Sequence, residues 1–282
     1  MTSRRTARVR GAAWYGTSFV LAVIFLFPLM AVLITVFKTP AEAVAVPPTY
    51  LPSVISFDNF AALWSAGAGL PRYLANSAFV STGTVLLTVV LATTAGYGIA
   101  RIRFRGADAV FLLLLTPMMV PLQALLTALY AVLVRIGLSD NLIGLVLIYT
   151  VSILPFSVFV MRNAFADIPR EIEEAAWVDG CGVLRSLLQV ALPLAWPGIA
   201  TVALFAFFTS WNEFLAALIM LTSDAHYTVP LLLQNITIGK LGSINWGMLQ
   251  VGILVTTLPC VVVFLLLQRY YVRGLLAGGV KG

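Results

Sequence analysis

The feature that most constrains this chain is a set of long apolar runs joined by short, charged connections. Six are long enough to cross a bilayer, roughly residues 14–37, 73–100, 109–134, 142–161, 194–221 and 247–267. At about 1.5 Å per residue, some 20 residues span a hydrocarbon core of about 30 Å, and longer runs span it with tilt. In lipid every backbone N–H and C=O needs a protein partner, which leaves helices or closed barrels. Barrel strands are about ten residues of alternating polarity, and no such alternation occurs. The pattern predicts an all-α, polytopic membrane protein with six transmembrane helices. Composition agrees: 61% of residues are hydrophobic and 10% charged, too few charges to coat a soluble globule.

The net charge of +6 is mostly a topology signal. Arg4, Arg5, Arg8 and Arg10 precede the first run; Arg101, Arg103 and Arg105 follow the second. Arg162, Arg170 and Arg185 lie between the fourth and fifth, and Arg269, Arg273 and Lys281 follow the sixth. These thirteen fall on one side, against Lys38, Arg72, Arg135 and Lys240 on the other. The positive-inside rule puts the thirteen, and both termini, in the cytoplasm. No nucleic-acid partner is expected; membrane lipid is. The first run with Ala41-Glu42-Ala43 behind it also fits a secretory leader, but a leader's apolar core is about 7–15 residues. Residues 14–37 number 24, so a retained helix is expected. Two cysteines (Cys181, Cys260) and one histidine (His226) supply neither a disulfide framework nor a metal cluster. No metal and no cofactor is expected on this chain.

The connections divide the chain into residues 1–72, an N-terminal helix with a proline-rich external segment, and a core over 73–282. Pro40, Pro47, Pro48, Pro52 and Pro71 forbid a long helix before residue 72, leaving room for a short one near 58–64. Residues 135–141 read as a tight external turn, and Pro117 and Pro121 predict a kinked third span. Residues 162–193 are different. Five of the chain's eleven acids gather there: Asp167, Glu171, Glu173, Glu174 and Asp179. Pro169 followed by acids suits a helix N-terminus, and Gly180 and Gly182 break that helix. A second helix is expected over 183–191, stopping at Leu192-Pro193, to give a cytoplasmic helix–turn–helix.

Within this loop Glu174-Ala175-Ala176, then Gly180, then nine residues and Val190-x-Leu192-Pro193 resembles the EAA motif of ABC importer permeases. Val190 stands where isoleucine is usual, and Cys181 where a small residue is commoner. Asn76-Ser77, Ala95-Gly96-Tyr97 before Ala100-Arg101, Trp211-Asn212-Glu213 and the tail over 269–282 extend the likeness to the second permease of maltose/maltodextrin-type carbohydrate importers. The resemblance implies a type I ABC importer permease fold that translocates a mono- or oligosaccharide. It implies that Glu174, Ala175, Ala176, Asp179, Gly180, Leu192 and Pro193 couple to an ATP-binding-cassette dimer holding ATP and Mg. It implies that the tail residues Gly279, Val280, Lys281 and Gly282 touch that dimer too. A second homologous permease and an extracytoplasmic sugar-binding protein are the other implied partners.

The elbow also makes physical sense by itself. A permease driven from outside needs a rigid protrusion; alanines let a partner approach closely, and a carboxylate offers a charge-assisted contact. An amphipathic loop lying on the membrane surface, its acids merely solvated, is the plainer reading of composition alone. The chain carries no Walker A sequence: after Gly274 and Gly279 the lysine comes one place late, at Lys281, with no Ser or Thr behind it. No enzyme activity is expected of it.

Intramembrane polar groups are functional candidates because charge near mid-bilayer costs about 2.5–3.5 kcal/mol. Trp211, Asn212 and Glu213 leave two readings open. In one, Trp211 is a platform for a sugar ring and the other two meet hydroxyls. In the other, all three tie helices together. Asn76, Tyr97 and Gln123 share this ambiguity, whereas His226 and Asp224 lie in an outer loop. An ion-coupled secondary transporter is the alternative class, with Glu213 nearly its sole ion-binding candidate. An intramembrane enzyme lacks any paired Ser/His, HExxH or di-Asp arrangement.

Overall fold

The computed structural model describes the backbone of residues 2–102, 104–240 and 244–279, and the side chains of 14–102, 104–240 and 244–269. The described residues form helices and loops without strands. In order these are α1 (Thr2–Thr35), α2 (Asp58–Trp64), α3 (Leu70–Arg101) and α4 (Ala107–Leu115). Next come α5 (Leu122–Arg135), α6 (Leu142–Ala166), α7 (Arg170–Val178) and α8 (Val183–Leu194). Last are α9 (Trp196–Asn212), α10 (Leu215–Met220), α11 (Val229–Thr237) and α12 (Trp246–Gly279). The short helix expected near 58–64 is α2.

Among the described residues four helices are long and apolar enough to cross a membrane: α1 from Trp14, α3, α6, and α12 as far as Arg269. Two bent pairs bring the spans to as many as six. The third span is broken more sharply than a proline kink. A 3₁₀ turn over Thr116–Met119 follows α4, Val120 is extended, and Pro121, with no N–H to give, opens α5 at 101° to its predecessor. The fifth run is not one helix. It begins after a 79° turn at Ala195, and α9 ends at Asn212 because Glu213 is extended. Nor does the second loop helix stop at Leu192-Pro193: α8 carries on to Leu194 through a wide π turn over Leu187–Ala191. Pro193 lacks an N–H and its ring crowds the carbonyl four residues back, and the widened turn accommodates both.

The chain divides into two compact units. One comprises Met1–Leu70 with Leu233–Thr257. There Phe37, Phe57 and Phe60 cluster at 5.7–5.9 Å, and buried Asn59 donates from Nδ2 to Lys38 O at 2.7 Å. Lys38 Nζ in turn donates to Thr49 O, tying down the proline-rich segment.

The other unit comprises Pro71–Leu232 with Leu258–Gly282. Its helices approach closely at small residues, as they must where lipid supplies no hydrophobic drive between them. A Cβ on Gly96 of α3 would stand 2.7 Å from Met161 Cβ and 2.8 Å from Arg162 N, both on α6. A Cβ on Gly198 of α9 would stand 2.6 Å from Ala164 Cβ, also on α6. α3 further buries Ser77, Ser81, Thr84 and Thr88 along one face. Around these crossings lies an apolar core of Tyr97, Val158, Met161, Phe165, Leu187 and Val202.

Candidate functional site

The elbow between α6 and α9 is built from local rules. Pro169 (φ −56°, ψ 133°) turns the chain out of α6 and opens α7, whose first turn holds Glu171 and Glu173. At the far end Gly180 adopts φ +86°. Its N–H donates to Trp177 O at 3.0 Å and that of Cys181 to Ala176 O at 3.0 Å, the paired closure of a Schellman cap. Nothing lies within 4 Å of a Cβ built there, so glycine is used for its dihedral rather than for space. α8 then returns, with Leu187 and Ala191 buried in the core.

Motif residues occupy the outer face. Glu174, Ala175, Asp179, Gly180 and Pro193 are exposed; Ala176 and Leu192 are half-buried. Beside them Val178 is 88% exposed, and Trp177, Val183 and Leu184 also show broad apolar surface. A patch of this kind beside charged residues marks a surface for contact with another protein or with the membrane.

The inner face is held by a residue that the sequence did not single out. Glu173 is buried and 100° round the helix from Glu174. Its Oε1 lies 2.6 Å from Arg101 Nε, and its Oε2 accepts from Tyr97 Oη at 2.8 Å. Arg101 Nη2 also donates to Ile168 O at 2.6 Å. The available signal was the i,i+4 pair of Tyr97 and Arg101 closing a span, two polar groups in search of a carboxylate.

Tyr149 Oη donates to Glu213 Oε2 at 2.8 Å. The carboxylate also accepts from Leu215 N (2.9 Å), Ala216 N (3.0 Å) and Ala217 N (3.4 Å), the orphan donors of α10. Trp211 is buried and stacked on Phe207 at 5.4 Å. Asn212 is exposed, donates to Phe208 O at 2.9 Å and lies 3.8 Å from Cys260 Sγ. A separate cavity of about 340 Å³ beside the α4–α5 break is lined by Met118, Leu125, Ile148 and Phe205, with Ser152 as its side-chain hydroxyl. Such a wall suits apolar matter better than a polyol.

The opposite end of this unit is knitted by polar contacts. Asn76 Nδ2 donates to Ala225 O and Tyr227 O, both at 2.9 Å, and Tyr73 Oη to Asp224 Oδ1 at 2.7 Å. Asp140 Oδ1 accepts from Thr222 N (2.9 Å) and Ser223 N (3.1 Å), while Oδ2 lies 3.2 Å from His226 Nδ1. Partial burial pushes the Asp140 carboxyl up, but these two N–H groups and the imidazole outweigh it and hold the group below its ordinary 3.8. Gly279 ends α12; the tail residues Val280, Lys281 and Gly282 lie outside the described residues.

A polytopic helical chain with an exposed helix–turn–helix elbow has the build of a transport permease. Residues 88–276 match the family described as the binding-protein-dependent transport system inner membrane component, and the chain belongs to that family. It is 31% identical to the diacetylchitobiose uptake system permease protein DasC of Streptomyces coelicolor, over 96% of this chain and 98% of that protein. It is 33% identical to the arabinooligosaccharides transport system permease protein AraQ of Bacillus subtilis, over 93% and 92%. In fold it matches a chain of the crystal structure of a bacterial ABC transporter involved in the import of the acidic polysaccharide alginate. The TM-score is 0.81 at 21% identity, covering 95% of this chain and 98% of that one. The protein is therefore an ABC importer permease, a multi-pass component of the cytoplasmic membrane.

Proposed function

We propose that this permease carries a mono- or oligosaccharide delivered by an extracytoplasmic sugar-binding protein, in a pair with a second homologous permease. Relatives named for diacetylchitobiose and arabinooligosaccharide uptake support the sugar. ATP and Mg are bound and hydrolysed by a separate ATP-binding-cassette dimer, on which the outer face of α7 docks and which the tail over 279–282 also touches. The observation that carries this reading is the exposure of Glu174, Ala175 and Val178 on a helix whose other face buries Glu173 against the end of α3. ATP binding draws the elbow with the closing dimer and tips the bundle outward-open; hydrolysis resets it. Of the intramembrane trio, Asn212 is the exposed member and the one we place nearest the substrate path; Trp211 and Glu213 support it from behind.

An ion-coupled mechanism gains nothing from these contacts, since Glu213, the carboxylate it would rely on, already accepts from Tyr149 and α10. Purification of the assembled protein tests the proposal. Glu174→Lys and Gly180→Pro should abolish sugar uptake with membrane insertion intact, and Glu174→Lys should release the ATPase. Full uptake by both variants refutes the coupling role.

A further inference from the structure

The inner face of the elbow carries charge where an apolar side chain would pack. Side chains of Arg101 and Glu173 are 5% and 2% exposed and 2.6 Å apart. Removing such a pair from water is expensive, and an apolar replacement of equal volume is often no less stable. Directed polar contacts supply something else, a fixed register between the parts they join. Here the register is specific. Arg101 grips the corner before α7 through Ile168 O and α7 itself through Glu173. Tyr97, one turn back on α3, bonds the second oxygen of Glu173 and sets its ring edge-on to Phe165 at 5.3 Å. Gly96 allows this by letting α3 close on the backbone of α6.

We propose that Glu173 is the positioning residue through which displacement of the elbow passes into the membrane: clamped by Tyr97 and Arg101, it makes α7 and the C-terminal end of α3 move as one body. The proposal rests on the reading of α7 as the ATPase-docked lever. Glu174 meets the partner on one face, and Glu173 hands the motion on from the other.

The test uses the complete assembly, with its ATPase and binding protein, in proteoliposomes. Glu173→Gln keeps the volume and removes the charge. It should assemble, yet the ATP hydrolysed per sugar imported should rise roughly tenfold, the scale of a lost coupling interaction. Tyr97→Phe should raise the ratio by a smaller factor. A purely structural role would lower the yield of complex and leave this ratio alone, so a wild-type ratio in assembled Glu173→Gln overturns the proposal.

A second measurement leaves the clamp itself unmutated. Spin labels at Thr94→Cys and Glu171→Cys, both exposed and outside the docking face, with Cys181→Ala and Cys260→Ala, report the distance between α3 and α7. It should hold constant between nucleotide-free and ATP-bound states. A change approaching one helical turn, about 5 Å, overturns the proposal. Glu174→Lys separates the two ideas. If it keeps both ATPase and uptake, the lever reading falls and the clamp with it. If it sheds the ATPase while Glu173→Gln couples normally, the clamp alone falls.

Discussion

Glu213 offers the sharpest prediction, because a substrate contact and a structural cap respond to substitution in different ways. Its two oxygens accept from Leu215 N, Ala216 N, Ala217 N and Tyr149 Oη. Glu213→Ala would strand those donors at a helix break within the fifth apolar run. Loss of an N-cap costs about 0.5–2 kcal/mol, and an unsatisfied buried hydroxyl about 1–3 kcal/mol, so the variant should lose about 1.5–5 kcal/mol. Glu213→Gln keeps one acceptor oxygen for the N–H groups and turns an amide toward Tyr149, whose hydroxyl can rotate to accept. Its loss should be smaller, about 1–3 kcal/mol. Tyr149→Phe should cost about as much, and the two changes should be non-additive by about 1 kcal/mol or more, since they share a bond.

The assay is a denaturant titration of the purified assembly in mixed micelles, beside the concentration dependence of uptake. A cap predicts lower stability with an unchanged half-saturating sugar concentration in the molecules that remain folded. If Glu213→Gln left stability untouched and raised that concentration tenfold, the carboxylate would belong to the substrate path and the capping argument would be refuted.

Three further predictions follow from local geometry. Gly198→Ala puts a Cβ 2.6 Å from Ala164 Cβ, about 1 Å inside ordinary contact, and should cost about 1–3 kcal/mol; adding Ala164→Gly should recover part of that loss in the same unfolding titration. The Asp140 carboxyl is held below its ordinary value, so its contribution to the outer loops is complete above about pH 3.8 and lost as pH falls through the lower folded value. Amide exchange over 221–227 should quicken on acidification through that window, and Asp140→Asn should exchange fast throughout. Gly247→Ala would set a Cβ 2.3 Å from Asn59 Oδ1 and dislodge the side chain that holds Lys38 O; limited proteolysis within 38–56 should then accelerate.

What the sequence discloses and what it hides follow from different physics. Spans, charge sidedness and the elbow are legible because each is a local property. A run of 20 apolar residues, an arginine beside it and a Pro-acid-Gly sequence mean nearly the same thing in any context. The breaks at Val120 and Glu213 were not legible to the same degree. Pro117 and Pro121 announce a disturbance, but a 101° bend depends on α6 being there to receive both halves. Glu213 inside an apolar run gives no local sign of its partner, because Tyr149, 64 residues earlier, is brought to it only by the packing of α9 on α6.

The acids of α7 show the limit most plainly. Glu173 and Glu174 are adjacent and chemically identical, and helical geometry sends them about 100° apart. Which one faces the core is decided by α3, some 70 residues away, where Tyr97 and Arg101 wait on the same face one turn apart. Had the helix been rotated by a single residue, Glu174 would take the buried place of Glu173, and Ala175 would stand where the exposed face now presents its carboxylate. The register of this nine-residue helix is thus set by its ion pair as much as by its apolar side chains. For the lever proposed above, the cost of this buried charge pair is offset by the orientation it enforces.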